Sequence, residues 1–192
     1  MLNLAIFGSG SGSNYQAIAE AIEADTLDAR IACVIADVED ATILKRARKL
    51  GHPALYLDCA PFKTKLDGEA EQRAIRLMKE HGVGLIALAG FMRILKPGLL
   101  RAFTGRIVNI HPSLLPKFPG LAAGRQALDA GATETGCTVH FVDEGIDTGP
   151  IIIQKKVPVL TGDTEETLMN RIHEQEHIAY PDALRKIATG EL

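Results

Sequence analysis

Two side chains that can donate hydrogen bonds occupy alternate positions near the middle of the chain. Asn109 and His111 lie in the apolar run that starts at Ile107, and Pro112 ends this run because proline has no N–H for a strand ladder. Period-2 alternation places Asn109 and His111 on one face of the predicted strand. An amide and an imidazole at one strand end suit acyl transfer, in which one group holds an oxyanion and the other places protons.

A carboxylate that could act with His111 lies in the glycine-containing loop of residues 143–150. Asp147 in this loop is predicted to orient the imidazole or to raise its affinity for protons. An isolated Asn-x-His pair is more often satisfied by nearby backbone. With the acidic loop as its companion, the candidate catalytic set is Asn109, His111 and Asp147.

A glycine-rich segment, residues 8–14, follows the first predicted strand and leads into a predicted helix of about residues 14–24. This geometry exposes backbone N–H groups and a positive helix end to a phosphate. The segment lacks the Gly-Lys-Ser/Thr of a P-loop and the glycine spacing of a dinucleotide site, so it favours a monophosphate. A tight turn without a ligand is an equal alternative on this segment alone. Asp37, at the end of the second strand, is a weak candidate for ribose binding.

The composition excludes several classes of function. A chain of 192 residues with 46% hydrophobic residues fits one globular domain, residues 1–192. The net charge of −3 gives no reason to expect nucleic acid, and no apolar run reaches the ~18 residues of a membrane span. Three widely spaced cysteines form no zinc pattern and favour buried free thiols in a reducing compartment. We therefore expect a cytoplasmic protein with small-molecule substrates, without nucleic acid, membrane or metal, as a monomer or homodimer.

The predicted elements alternate between strand and helix, and a β-hairpin and a long helix follow. This order predicts a single α/β domain with a mostly parallel sheet, helices on both faces and an antiparallel edge formed by residues 136–143 and 150–157. The apolar loop of residues 90–95 should open at the same carboxyl edge as the glycine-rich loop, where such sheets bind ligands. His111 is expected between these two loops.

Four motifs resemble those of the folate-dependent formyltransferases. They are Asn109-Ile110-His111-Pro112-Ser113-Leu114-Leu115-Pro116, Gly12-Ser13-Asn14, Ala89-Gly90-Phe91-Met92-Arg93-Ile94-Leu95 and Gln175-Glu176-His177. They occur in order across essentially the whole chain and are most similar to the branch that acts on phosphoribosylglycinamide. The resemblance implies a Rossmann-like formyltransferase domain that uses 10-formyltetrahydrofolate as co-substrate, without a metal, in purine biosynthesis.

The resemblance also implies roles for individual residues. For the acceptor substrate, it implies that Gly12, Ser13 and Asn14 bind the phosphate and that Glu176 binds the ribose. It also implies a further substrate contact at Lys65. The folate residues it implies are Met92, Arg93, Ile94, Leu95, Val142, Asp143 and Asp147. Glu176 also continues the apolar stripe of Leu168 and Ile172, so it either faces inward with a partner or turns out to water.

Three positions depart from the family. Family members usually have Gly-Leu-His-x-His where this chain has residues 120–124, Gly-Leu-Ala-Ala-Gly, so both histidines are absent. This leaves His111 as the only predicted catalytic imidazole of the region, because His140 in mid-strand is interpreted as structural. Lys65 keeps the charge of the family's usual arginine but loses its bidentate fork.

Two other functions stay open. One is a folate formyltransferase acting on methionyl-tRNA or an aminosugar nucleotide, although the chain has no basic appendage for tRNA. The other is a non-catalytic folate- or nucleotide-binding protein on the same scaffold, which would tolerate the missing histidines. Release of tetrahydrofolate with and without phosphoribosylglycinamide separates the three functions.

Overall fold

The chain alternates strands and helices up to a final hairpin and helix, and the computed structural model describes all of residues 1–192. The strands are β1 (Leu2–Phe7), β2 (Ala29–Ala36), β3 (Ala54–Tyr56), β4 (Lys65–Leu66), β5 (Leu85–Leu88), β6 (Ile94–Leu95), β7 (Ile107–His111), β8 (Glu134–Phe141) and β9 (Ile151–Pro158). The helices are α1 (Ser13–Glu23), α2 (Thr42–Lys49), α3 (Gly68–Glu80), α4 (Pro97–Ala102), α5 (Ala123–Asp129) and α6 (Glu165–Thr189). None of these helices is both long and apolar enough to cross a membrane.

Seven strands form one sheet in the order β3-β2-β1-β5-β7-β8-β9. The first five of these are parallel to their neighbours, and β8 pairs antiparallel with both β7 and β9. The predicted mostly parallel α/β sheet with an antiparallel edge is therefore confirmed. The strand order changes direction between β1 and β5, so the loops after these strands diverge and open a crevice. The strand that carries His111, β7, lies beyond β5 and not between β1 and β5. In terms of strand order, the expectation that His111 lies between the loops after β1 and β5 is therefore wrong.

Alternate side chains of each strand enter different hydrophobic cores. Leu4 and Ile6 pack with helices α1, α2, α5 and α6, whereas Ala5 and Phe7 pack with α3 and α4. Helices therefore cover both faces of the sheet, as the sequence predicted.

The same alternation in β7 decides where its polar side chains lie. Val108 and Ile110 belong to the first core and Ile107 belongs to the second. Asn109 and His111 share the parity of Ile107, so they project from the same face of the sheet, as predicted.

The short strands β4 and β6 were not predicted. They pair in parallel, Lys65 with Ile94 and Leu66 with Leu95, and form a separate two-stranded sheet. Two residues are too few for any periodicity to be visible in the sequence. The pairing attaches the end of the loop of residues 90–95 to the segment that precedes α3.

Helix α6 is fixed at its start and near its middle. Thr164 Oγ1 accepts from the Thr167 N–H at 3.2 Å, and Thr167 Oγ1 accepts from the Thr164 N–H at 3.0 Å, which forms a reciprocal cap. The buried Tyr180 hydroxyl contacts the carbonyl oxygens of Leu88 and Val108 at 2.8 and 3.2 Å. These contacts dock α6 onto β5 and β7, and thereby position Glu176.

Candidate active site

One cavity of about 590 Å³ lies at the carboxyl edge of the parallel strands. Its wall is built by the loops after β1 and β5, the ends of β7 and β8, and one face of α6. It includes every predicted site residue except Lys65, namely Gly12, Ser13, Asn14, Met92, Arg93, Ile94, Leu95, Asn109, His111, Val142, Asp143, Asp147 and Glu176. The structure thus brings residues from separate parts of the chain to one place.

The N-terminus of α1 forms one part of the cavity wall. Gly12 precedes the helix with φ 73°, and no side chain caps the helix. The Gln16 N–H donates to the Gly12 carbonyl at 3.0 Å, so the N–H groups of Ser13, Asn14 and Tyr15 have no partner within the helix. A Cβ on Gly12 would lie 2.8 Å from atoms of Ile43, so a larger residue does not fit. This geometry suits a bound anion.

Glu176 faces inward toward the same region. It is only 4% exposed, and the Asn14 Nδ2 donates to its Oε2 at 2.8 Å. Burial raises the pKa of Glu176 to about 7, although the hydrogen bond from Asn14 acts in the opposite direction. Asn14 Oδ1 is buried without a protein partner. The alternative in which Glu176 turns out to water is therefore wrong, and the pair offers oxygen acceptors to a ligand.

Asp147 links His111 to the neighbouring backbone. Its Oδ2 lies 3.3 Å from His111 Nδ1 and accepts from the Gly120 N–H at 2.9 Å. Burial alone would raise the pKa of Asp147. Donation by His140 and Gly120 and the charges of both histidines outweigh it and hold the pKa below its usual value. Asp147 is therefore the ionised partner in its contact with His111.

Both ring nitrogens of His111 face acceptors. The Nε2 lies 2.8 Å from the Phe118 carbonyl oxygen, which can only accept, so Nε2 carries a proton. The Nδ1 faces the ionised Asp147 carboxylate. The ring satisfies both acceptors only when both of its nitrogens carry a proton.

A second imidazole belongs to the same cluster. His140 Nδ1 donates to the Phe141 carbonyl at 2.8 Å, and its Nε2 lies 3.3 Å from Asn109 Nδ2 and 3.6 Å from Asp147 Oδ1. The ring nitrogens of His140 thus have protein partners, as expected of a structural histidine, but the ring also lines the cavity, which the sequence did not predict. The strand register places it there, because it pairs Asn109 with His140 across the β7–β8 ladder.

The loops around this cluster contain strained backbone. Phe118, Ala122 and Asp147 have φ of 55°, 56° and 55°, in the left-handed region that side chains rarely adopt. Phe118 and Asp147 contact the His111 ring directly, and Ala122 lines the same cavity. Such strain is typical of sites that the surrounding structure positions for function.

The loop after β5 supplies an apolar wall. Met92 and Ile94 are 61% and 53% exposed, and both line the cavity together with Phe91, Leu95 and Val142. Exposed apolar side chains around a cleft suit a flat heterocyclic ligand.

Arg93 points away from this wall. Its Nε donates to Asp37 Oδ2, and its Nη1 donates to the Phe62 carbonyl, both at 2.5 Å. The Asp37 carboxylate also accepts from Ser9, so the suggestion that Asp37 binds a ribose is wrong. The Arg93 side chain likewise holds the loop instead of presenting its donors to the cavity.

The sequence of this chain matches known proteins along its length. The family model for formyl transferases, Formyl_trans_N, matches residues 2–184. The chain belongs to the formyl transferase family.

Relatives of known name are similar over nearly the whole chain. The phosphoribosylglycinamide formyltransferase of Bacillus subtilis (strain 168) is 43% identical over 187 residues, which are 97% of this chain and 95% of that protein. The trifunctional purine biosynthetic protein adenosine-3 of Drosophila pseudoobscura pseudoobscura is 49% identical over 191 residues, 98% of this chain but only 14% of that protein. Glycinamide ribonucleotide transformylase 1 from Symbiobacterium toebii has a crystal structure that superposes with a TM-score of 0.95 at 47% identity, covering 99% of this chain and 89% of that one.

Lys65 is the site residue that the structure of this formyl transferase does not bring to the cavity. Its Nζ lies 2.6 Å from Asp67 Oδ2 and 4.2 Å from the centre of the Phe62 ring. Its strand, β4, pairs with β6 at the end of the apolar loop. Lys65 therefore lies beside that loop and not beside Gly12, so its position does not support the expected contact with a phosphate-bearing substrate.

Asp143 also has a local role in this formyl transferase. Its Oδ1 accepts from the Gly145 N–H at 3.0 Å and from Thr148 Oγ1 at 2.7 Å. These bonds close the loop that carries Asp147. Asp143 therefore shapes the wall of the cavity as well as lining it.

The absence of the family histidine at position 124 has a steric explanation, whereas nothing in the structure explains its absence at position 122. A Cβ on Gly124 would lie 2.8 Å from Met169 Sδ and 3.1 Å from its Cγ. Met169 thus fills the space that a side chain at position 124 would need. Met169 and His173 line the cavity here and were not predicted, although they share the helical spacing of Glu176, i, i+4 and i+7, on one face of α6.

Cys33, Cys59 and Cys137 are buried free thiols, as the sequence predicted. Side chains of His, Cys, Asp and Glu form no group of three or more that could hold a metal ion.

Proposed function

We propose that this formyl transferase moves the formyl group of 10-formyltetrahydrofolate to the amine of phosphoribosylglycinamide, in purine biosynthesis. The observation that carries the proposal is the shared cavity, which joins an anion-binding helix end, an apolar loop and the Asn109, His140, Asp147 and His111 cluster. Relatives whose names specify this activity cover nearly the whole chain and support the choice of acceptor.

The acceptor substrate fits the groups around α1. Its phosphate would bind at the free N–H groups of Ser13 and Asn14, next to the close turn at Gly12. Its ribose hydroxyls would donate to Glu176 and to the unpartnered Asn14 Oδ1. Hydroxyl donors would compensate a buried carboxylate that has no cationic partner.

The co-substrate fits the other side of the cavity. The volume of about 590 Å³ is within the range of small-molecule sites. Met92, Ile94, Leu95 and Val142 offer apolar contact to a pteridine, and the backbone of the same loop offers polar groups at its edge. Asp143 and Asp147 border the loop on the opposite wall.

The chemistry assigns a separate task to each group of the cluster. The acceptor amine attacks the formyl carbon, and the bond from this carbon to the folate nitrogen breaks. The amine loses one proton, and the folate nitrogen gains one. Asn109 Nδ2 lies 3.3 Å from His140 Nε2 and carries two N–H groups, of which one can donate to the formyl oxygen as it becomes negative. The formyl group is already activated in the folate, so this reaction requires no metal.

His111 acts mainly through its charge in this proposal. Its two N–H groups are engaged by Phe118 and Asp147, and the resulting cation lies in a buried site where it stabilises negative charge at the reacting oxygen. Asp147, between the two imidazoles, holds the proton on His111 and can pass it toward the departing folate nitrogen.

The proposal is tested by measuring tetrahydrofolate release spectrophotometrically with 10-formyltetrahydrofolate and one acceptor at a time. We expect release with phosphoribosylglycinamide and none without an acceptor. Release only with methionyl-tRNA or an aminosugar nucleotide would identify a different formyltransferase. Folate binding without release with any acceptor would indicate a non-catalytic binding protein.

A further inference from the structure

We propose that Ser9, Asp37 and Arg93 form a positioning bridge, which holds the folate-side loop of residues 90–95 against the phosphate-side loop of residues 8–12. The ligand assignments in this inference rest on the proposed function. The three residues come from segments that are distant in sequence, and they meet where the loops after β1 and β5 diverge.

The Asp37 carboxylate is the centre of the bridge. Its side chain is only 6% exposed, and each oxygen has its own donor. Ser9 Oγ donates to Oδ1 and Arg93 Nε donates to Oδ2, both at 2.5 Å. Arg93 also donates to the Phe62 carbonyl, so the bridge continues into the segment that leads to β4.

Ser9 joins the two loops directly. Its N–H donates to the Gly90 carbonyl at 3.0 Å, and its Oγ accepts from the Met92 N–H at 2.9 Å. The serine hydroxyl thus accepts from one loop while it donates to Asp37. Three hydrogen bonds at one residue fix the backbone of the folate-side loop relative to the start of α1.

The location of the bridge argues for a role beyond stability. A buried ion pair is an inefficient way to stabilise a fold, because both charges lose their hydration. This pair lies at the crevice where the ligand-binding loops part, beyond the last ladder bonds of β1 and β5. Its geometric effect is to set the distance between the two loops that contact the two substrates. Misplacement of a reactant by about 1 Å can cost roughly 100-fold in rate.

Asp37→Asn tests the bridge with little change in size. The new amide nitrogen would face the Arg93 Nε–H, donor against donor, or else face the Ser9 hydroxyl. We expect the KM for 10-formyltetrahydrofolate to rise about tenfold, since a lost charge-assisted hydrogen bond frees the loop. The KM for phosphoribosylglycinamide should change much less, because α1 still holds Gly12 and Asn14. Arg93→Lys, which keeps the charge, should recover part of the affinity that Arg93→Ala loses.

Asp163→Asn is the matched control. Asp163 is 5% exposed and accepts from both Nη atoms of Arg171 at 2.8 and 3.0 Å, but neither residue lines the cavity. The Asp163→Asn variant should lower the melting temperature in the same way as Asp37→Asn, but it should leave the KM values for both substrates unchanged. If Asp37→Asn also leaves the KM for 10-formyltetrahydrofolate at the wild-type value, the bridge is only a stabilising ion pair and the proposal is overturned.

Hydrogen exchange separates this inference from the proposed function. In the ligand-free protein, Ser9→Ala should speed amide exchange in residues 90–95, because the Met92 N–H loses its acceptor. Unchanged exchange there would overturn the bridge even if the wild type turns over. A wild type that releases no tetrahydrofolate would reject the proposed function, while faster exchange in Ser9→Ala would still support the bridge.

Discussion

Glu176 is a buried carboxylate whose one protein hydrogen bond comes from a neutral amide. Burial raises its pKa from the ordinary value near 4.5 to about 7, against the effect of Asn14. Near neutral pH the group is therefore divided between its two protonation states in the ligand-free protein. Ligand hydroxyls that donate to it would favour the ionised form and release a proton on binding.

This pKa makes a prediction for stability. The native state keeps the proton up to about pH 7, whereas the unfolded chain releases it near 4.5, so the native state binds more protons in this window. The stability contributed by this group is fully present below pH 4.5 and is lost as the pH rises through 7. Glu176→Gln should remove this loss, so at pH 8 the variant should be more stable than the wild type by on the order of 3 kcal/mol.

Urea unfolding of both proteins at pH 5 and pH 8 checks the prediction. The difference between the two proteins should be near zero at the lower pH and large at the higher one. Glu174→Gln, an exposed position on the same helix, should show no such difference. A Glu176→Gln protein whose pH dependence matches that of the wild type would contradict the assigned pKa.

The sequence predicted the relative placement of catalytic candidates only when they are close together along the chain. Asn109 and His111 are two residues apart, and their common face follows from alternation alone. The contacts of His140 and Arg93 could not be predicted because their partners come from other elements: the β7–β8 register pairs His140 with Asn109, and Asp37 accepts from the Arg93 guanidinium. No single-sequence pattern encodes such contacts.

At the scale of elements, the packing of α5 against α6 explains why the family histidine is missing at position 124. Gly124 leaves room for Met169, whose sulfur lies where a side chain at 124 would begin. The loss of the histidine and the presence of a long residue on α6 are thus two parts of one steric arrangement. The cavity wall between Ala122 and His173 takes its shape from this contact.

Restoring the family histidine should therefore destabilise the protein. Gly124→His should lower the free energy of unfolding by about 1–3 kcal/mol, as overpacked cores do. Met169→Ala in the same chain should recover most of this loss. Asp129→His, an exposed histidine on the same helix, serves as the control and should have little effect. Denaturant unfolding of the four variants in a double-mutant cycle measures the coupling, and strict additivity would contradict the steric explanation.

The order and type of the longer elements followed from periodicity. The two-residue strands β4 and β6 did not, because they exist only through their mutual pairing. Lys65 was assigned to the acceptor substrate because it matches an arginine that is usual in the family. The placement of its strand beside the apolar loop depends on that unpredicted pairing.

At the scale of the whole molecule, the fold brings loops from distant parts of the chain together at one edge of the sheet. The change of direction in the sheet between β1 and β5 brings the phosphate-side and folate-side loops together, and the antiparallel hairpin places His140 and Asp147 beside Asn109 and His111. The sequence predicted the α/β class, the single domain and the common edge. It did not predict that β7 lies outside the pair of loops, because strand order is set by packing across the sheet.

The central claim is that the side-chain amide in this cluster stabilises the formyl oxygen as charge develops on it. The most direct measurement is the kcat of Asn109→Ala with both substrates saturating, beside the exposed control Asn170→Ala. The account predicts a kcat lower by about 100- to 1000-fold for Asn109→Ala and unchanged for the control, with similar melting temperatures. A folded Asn109→Ala enzyme that turns over at the wild-type rate would contradict it.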